Sequence, residues 1–297
     1  MDKIIPTLNK NNITIGILSV CGDIKDIEAL EKTKDYFEQK GYNVKFSDTC
    51  YEAKNYLCGT DTERANAINS FFADDSIDII LAARGGYGAI RILDKIDYDI
   101  VKQNPKPFCG YSDITALQLM IYKKTGLITY NAPMAYSDFA RDITEYTEKS
   151  FFNVLKKTPE ELIIDNPKVY YSGICNGILW GGNLSTIQSL CGLDFIPDEP
   201  LVFVIEDINE PVYKIDKMST QLLNIKAFKN NLAGIVLGDF TGIDNQKYFD
   251  DFFKELSYSL KIPVIGGLKF GHEKDKQTFP IGCNVVLDTN LGKIMYE

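Results

Sequence analysis

The chain has 297 residues, 45% hydrophobic and 25% charged, with a formal net charge of −9. That length allows two domains with sizeable apolar cores, and so acidic a surface repels a phosphate backbone, which sets nucleic-acid binding aside. The start, Met-Asp-Lys-Ile-Ile-Pro-Thr-Leu, lacks the apolar core of a signal peptide, no run nears the ~18 apolar residues of a membrane span, and the seven scattered cysteines include no C-x-x-C pair. The expectation is therefore a cytoplasmic protein with reduced thiols.

Residues 13–20 are a β-rich apolar run, read as a first buried strand. Residues 25–40 are charged but carry Ile27, Leu30 and Phe37 on one helical face, with Gly41 as a stop. Residues 42–47 alternate and read as a strand. Thr60 and Glu63 have capping-box spacing, and Ala67, Ile68, Phe71 and Phe72 continue as a helical stripe. Residues 77–83 are another buried strand, 89–96 a helix, 107–109 a short strand, and 114–125 a helix stopped by Gly126. Strands alternating with helices predict a parallel sheet covered on both faces, a doubly wound α/β domain over about the first 135 residues.

Residues 141–157 predict one more helix, and the acidic stretch 158–167 with its two prolines marks a boundary. The expected division is an N-terminal α/β domain at 1–157 and a second domain at 168–297. Beyond the boundary, strand-like runs at 172–179, 201–206, 232–238, 262–266 and 283–288 are interspersed with helical stretches at 214–229 and 247–257. The second domain reads as β-rich.

Gly110-Tyr111-Ser112-Asp113 falls between a short strand and a helix. A serine on such a turn is lifted out of the sheet, and the helix N-terminus points free N–H groups at whatever it attacks. Ser112 or Asp113 could equally be an ordinary cap of the following helix. Arg84-Gly85-Gly86-Tyr87-Gly88 also follows a strand. Its glycines let backbone N–H groups approach an anion or oxyanion, or simply make a tight turn. The lysine of a P-loop is missing, and so is dinucleotide-binding spacing. His272, in Phe-Gly-His-Glu, is the only histidine and so the only histidine base available to a serine hydrolase. Glu206 closes the apolar run 201–205, at a strand mouth where a carboxylate could orient an imidazole; Asp207 and Glu210 compete for that place.

Taken together, six ordered segments resemble the LD-carboxypeptidase family of serine peptidases, which includes murein tetrapeptide carboxypeptidases and microcin C immunity peptidases. They are Tyr-Leu-Cys-Gly-Thr-Asp (56–61), Arg-Gly-Gly-Tyr-Gly (84–88), Gly-Tyr-Ser-Asp-Ile-Thr-Ala-Leu (110–117), Leu-Trp-Gly-Gly-Asn-Leu (179–184), Glu-Asp-Ile-Asn-Glu (206–210) and Phe-Gly-His (270–272), the last followed by Pro280-Ile-Gly282. The resemblance implies Ser112 as nucleophile, Glu206 as the acid of the relay and His272 as its base. It implies an oxyanion hole from the backbone of Asp113 and of Gly85 or Gly86, and substrate contacts from Trp180 and Asn183. No metal or organic cofactor is needed. The implied reaction releases terminal D-alanine from a cytoplasmic muropeptide tetrapeptide, by a homodimer with no nucleic-acid or membrane partner. Two other readings stand beside it: an immunity-type peptidase cutting an acyl-aspartyl amide, and a non-catalytic module whose glycine loop holds an anion. One departure is visible, Leu-Ser-Val-Cys-Gly (18–22) where the family commonly has Ala-Pro-Ser.

Overall fold

In the computed structural model, which describes residues 2–8, 10 and 12–297, the apolar runs of the first half become a parallel sheet. Its elements are β1 (Thr14–Leu18), α1 (Ile27–Gln39), β2 (Asn43–Phe46), α2 (Asp61–Ala73), β3 (Ile79–Ala82), α3 (Tyr98–Gln103), β4 (Phe108–Gly110), α4 (Ile114–Thr125) and β5 (Thr129–Asn131). The strands lie in the order β2-β1-β3-β4-β5, all parallel. Side chains alternate across the sheet with period two. Ile79 and Leu81 therefore pack with Leu30 and Phe37 of α1, while Ile80 and Ala82 pack with Ile68 and Phe72 of α2. Two buried faces explain why β3 and β4 are apolar without interruption.

Local chemistry sets the helix ends. The capping box of α2 forms as spaced: Glu63 N–H donates to Thr60 Oγ1 (3.2 Å) and Thr60 N–H to Glu63 Oε2 (2.7 Å). The helix expected over 89–96 is instead two short 3₁₀ turns, Ala89–Arg91 and Leu93–Lys95. Asp97 then caps α3 by accepting from the N–H groups of Asp99 and Ile100, so the chain restarts rather than continues. The helix expected from 141 begins at 145, where Thr144 caps α5 (Glu145–Lys156); a single π-type turn at Ala135–Phe139 precedes it.

The remaining elements are β6 (Glu161–Ile163), β7 (Lys168–Tyr171), β8 (Ile174–Asn183), α6 (Leu184–Ser189), β9 (Leu201–Ile208), α7 (Val212–Leu223), α8 (Lys226–Asn231), β10 (Leu232–Thr241), α9 (Gln246–Leu260), β11 (Val264–Gly266), β12 (Phe279–Ile281), β13 (Asn284–Asp288) and β14 (Lys293–Tyr296). Seven of these strands and β6 build a second sheet, β6-β14-β13-β8-β9-β10-β11-β7, except that β12 leaves it. Its centre, β8 to β11, is parallel and its margins antiparallel. With α6 to α9 it is more than a β-rich module: a mixed α/β layer in its own right. β12 returns to the first sheet, antiparallel to β5. No described helix is long and apolar enough to cross a membrane.

Candidate active site

In a doubly wound sheet the crevice opens where strand order reverses, beyond the carboxyl ends of the strands. Here that point lies between β1 and β3. The loops leaving these strands meet there, with Gly22 N–H donating to Gly85 O (3.1 Å) and Arg84 Nη1 to Asp23 O (2.9 Å). Ser112 leaves the neighbouring β4 with φ of +62°, a left-handed conformation that a side chain adopts only under constraint. Its hydroxyl does not cap α4. It lies 3.2 Å from His272 Nε2. Asp113 makes no cap either; its carboxylate accepts from Ala89 N–H (2.8 Å), and its charge acts on the Cys21 thiol. The Cys21 of the departing segment thus sits directly behind the serine turn, its thiol pushed well up by burial and by Asp113.

The second sheet delivers the other two groups. Glu206 is fully buried near the end of β9, and its Oε2 lies 2.8 Å from His272 Nδ1. His272 comes from the loop between β11 and β12. Gly271, before it, has φ of +127°, and a Cβ there would fall 2.9 Å from Glu206 Oε2, so only glycine lets the loop pass this closely. Burial lowers the imidazole pKa, but the hydrogen bond and charge of Glu206, with the charge of Asp207, outweigh it and leave His272 above its ordinary 6.5. Asp207, a competitor by sequence, turns elsewhere: it accepts from Ser185 N–H (2.9 Å), and burial first, then Glu206, pushes it up to about 6.

The glycine loop closes on the serine. A Cβ on Gly85 would lie 2.9 Å from Ser112 Cβ and 3.3 Å from Asp113 N, so Gly85 permits the close approach. Gly86 is turned toward Gly22. Among the described residues, the N–H groups of Gly86 and Asp113 donate to no backbone acceptor.

Two of the expected substrate contacts are corrected. Trp180 is wholly buried against Phe195, Phe203 and Phe228, in the core of the second sheet. Asn183 is also buried: its Oδ1 caps α6 through Thr186 N–H (3.0 Å), and its Nδ2 donates to Glu206 Oε1 (3.1 Å). It holds Glu206 rather than facing the cleft. Sequence reasoning missed Arg64 altogether. This fully buried side chain on α2 donates to Val20 O, to Gly88 O (3.0 Å) and to Asp61 (2.6 Å), tying together the two loops around Ser112. An arginine on the apolar side of the α2 stripe was the available signal. Lys276, buried and paired with Asp138 at 2.8 Å, was likewise unforeseen.

The family model for the LD-carboxypeptidase N-terminal domain matches residues 15–132, and that for the LD-carboxypeptidase C-terminal domain matches residues 176–287. The chain is 31% identical to a Bacillus subtilis protein named probable murein peptide carboxypeptidase, over 95% of this chain and 90% of that one. It is 27% identical to the Escherichia coli microcin C7 self-immunity protein MccF, over 86% and 83% respectively. Among solved structures, it is similar to a muramoyltetrapeptide carboxypeptidase from Oxalobacter formigenes (TM-score 0.84, 29% identity, 95% and 97% coverage). It is also similar to an MccF-like protein from Bacillus anthracis (TM-score 0.89, 27% identity, 99% of each chain).

Proposed function

Given that the chain belongs to the LD-carboxypeptidase family of serine-type peptidases, we propose that it releases the terminal D-alanine of murein tetrapeptides through Ser112, His272 and Glu206. The observation that carries this reading is the unbroken series Ser112 Oγ to His272 Nε2 (3.2 Å) and His272 Nδ1 to Glu206 Oε2 (2.8 Å). In it His272 takes the Ser112 proton as Oγ attacks the amide carbonyl, and Glu206 holds the imidazole in the tautomer that can accept. The N–H groups of Asp113 and of Gly85 or Gly86 hold the oxyanion, each donor worth about 3–4 kcal/mol. His272 returns the proton to the leaving amine, and water attacking the acyl-enzyme regenerates Ser112.

Within this proposal the reaction belongs to the cytoplasmic recycling of wall fragments, and seven free thiols suit that reducing compartment. The likeness to MccF and an MccF-like structure supports a second reading, cleavage of an acyl-aspartyl amide. The test compares wild type with Ser112→Ala on tetrapeptides carrying lysine or diaminopimelate. D-alanine release by the wild type and none by the folded variant is the expected result. Release by neither protein, with cleavage of an aspartyl-amide substrate by the wild type, would install the second reading. Equal release by both would remove Ser112 as nucleophile.

A further inference from the structure

A carboxypeptidase must recognise a terminal carboxylate, and the relay itself contains no cation. The geometry around Ser112 limits where that carboxylate can lie. On one side of the hydroxyl stands the glycine loop, with Gly85 in contact distance of Ser112. On the other stands His272 Nε2, the atom that hands a proton to the departing amine in the proposed mechanism. The leaving amino acid therefore lies on the His272 side. A cavity of about 300 Å³ opens there, lined by Tyr111, Ser137, Arg141, His272, Lys274 and Lys276 among others.

Three cations line this cavity, and they are not equivalent. Lys276 is buried, paired with Asp138 (2.8 Å) and seated over the Tyr111 ring (5.3 Å). Its charge is already matched. Lys274, on the histidine loop, and Arg141 are both exposed, but no aromatic ring among the described residues seats Lys274. Arg141 follows the π-type turn, its guanidinium over the Tyr136 ring (5.9 Å). Its charge also acts on the hydroxyl of Tyr111, whose ring meets the His272 imidazole edge-on at 5.2 Å. Among the described residues neither Arg141 nor Lys274 has a carboxylate partner. Of the cavity's acids, Asp138 is occupied by Lys276 and Glu273 accepts from Thr241 Oγ1 (2.7 Å), which leaves Asp142, exposed beside Arg141.

Resting on the reading above, we propose that this cavity is the leaving-group site and that Arg141 binds the substrate's terminal α-carboxylate. A planar guanidinium presents two parallel N–H donors to a carboxylate, which fixes orientation as well as charge. Seated over Tyr136 and lining the same cavity as Tyr111 and His272, it sets the distance between terminal carboxylate and scissile amide. That distance makes the enzyme remove one residue and no more.

The test uses one tetrapeptide in two forms, ending in D-alanine or in D-alaninamide, with wild type, Arg141→Gln, Arg141→Lys and Lys274→Gln. Wild type should prefer the free acid. Arg141→Gln should lose roughly 10- to 100-fold in kcat/KM on the acid, mostly through KM, the scale of a hydrogen bond to a charged group. It should lose far less on the amide, so that the preference collapses; Arg141→Lys should restore part of it. Fluorophosphonate labelling of Ser112 at the wild-type rate would show the relay intact. A preserved preference in Arg141→Gln, equal losses on both peptides, or collapse in Lys274→Gln instead would each overturn the assignment while leaving the carboxypeptidase reading in place. No release from either peptide by the wild type would overturn both.

Discussion

Neutral imidazole is the form of His272 that can accept the Ser112 proton, so the pKa of this one ring governs the low-pH side of the proposed reaction. Burial lowers that pKa, and Glu206 and Asp207 together raise it by more. The sum is a value above 6.5, so at neutral pH a larger share of the rings is protonated and inactive. The expected kcat/KM therefore rises with pH through a midpoint above 6.5. Glu206→Gln should move that midpoint down, because the charge that favours imidazolium is gone, while lowering kcat by about 10⁴-fold through loss of the tautomer-fixing acid. Asp207 and Asp239, each pushed up to about 6 chiefly by burial, titrate just below and face the same Glu206. A midpoint unmoved in Glu206→Gln would mean the limb belongs to a group that does not sense Glu206, neither His272 nor that pair. At this scale the sequence was informative where chemistry restricts choice: a single histidine, a serine between strand and helix, a glutamate at the mouth of an apolar run. It was not for Trp180 or Asn183. β8 is buried at every position from 178 to 183, so no alternation distinguishes a cleft-facing side chain from a core one.

An element can hold a loop of the candidate site without touching substrate, and α5 does this for the loop of His272. Thr147 Oγ1, fully buried, donates to Lys274 O (2.9 Å) and accepts from Lys276 N–H (2.8 Å). Ser150 Oγ accepts from Thr278 N–H (2.8 Å). Lys276 Nζ closes the arrangement by bonding Glu273 O and pairing with Asp138 of the π-type turn. Thr147→Val keeps the shape and removes both bonds, leaving the buried Lys276 N–H unsatisfied at a cost of about 1–3 kcal/mol and the Lys274 carbonyl unheld. The outcome expected is a kcat at least ~10-fold lower with KM nearly unchanged, and slower fluorophosphonate labelling of Ser112. Unchanged kcat would show that the loop is held by Lys276 and Ser150 alone. Arg64 anchors the opposite loops in the same manner, and Arg64→Ala should cost about 1–3 kcal/mol in urea unfolding for each of the two buried carbonyls, Val20 O and Gly88 O, that it leaves without this donor. The helix α2 was legible from its capping box and stripe, and α5 as a helix whose start was read four residues early. Their grip on the site was not, because Thr147 and Lys276 are 129 positions apart and local pattern carries no such pairing.

Over the whole molecule, the candidate relay is assembled from two sheets, so its geometry depends on how firmly they are joined. The doubly wound sheet was legible because helices separate its strands and β1 and β3 read as buried runs; β2 was read from alternation, and β5 was not read at all. The parallel centre of the second sheet was not. β9 and β10 look like strands of any kind, and nothing local reveals that their neighbours run the same way. β12 was also hidden, three residues whose partner β5 lies some 150 positions earlier. Yet this strand is what ties the chain's last third into the first sheet. Two further joins reinforce it: Asn183 N–H donates to Thr115 Oγ1 of α4 (3.2 Å), and one apolar core runs from Ile68 and Leu117 to Trp180 and Phe203. Chains of this size often unfold domain by domain. Here separating the sheets would expose that shared core and break β12 from β5, so the joined state should dominate. Trp180, the only tryptophan, reports on the second sheet and the core it shares with the first, whereas far-UV circular dichroism reports on the secondary structure of both. The two signals should follow one urea transition with a common midpoint. Should the tryptophan signal move at a different denaturant concentration from the dichroism, the sheets are independent units and the distance from Ser112 to His272 is set by a mobile hinge.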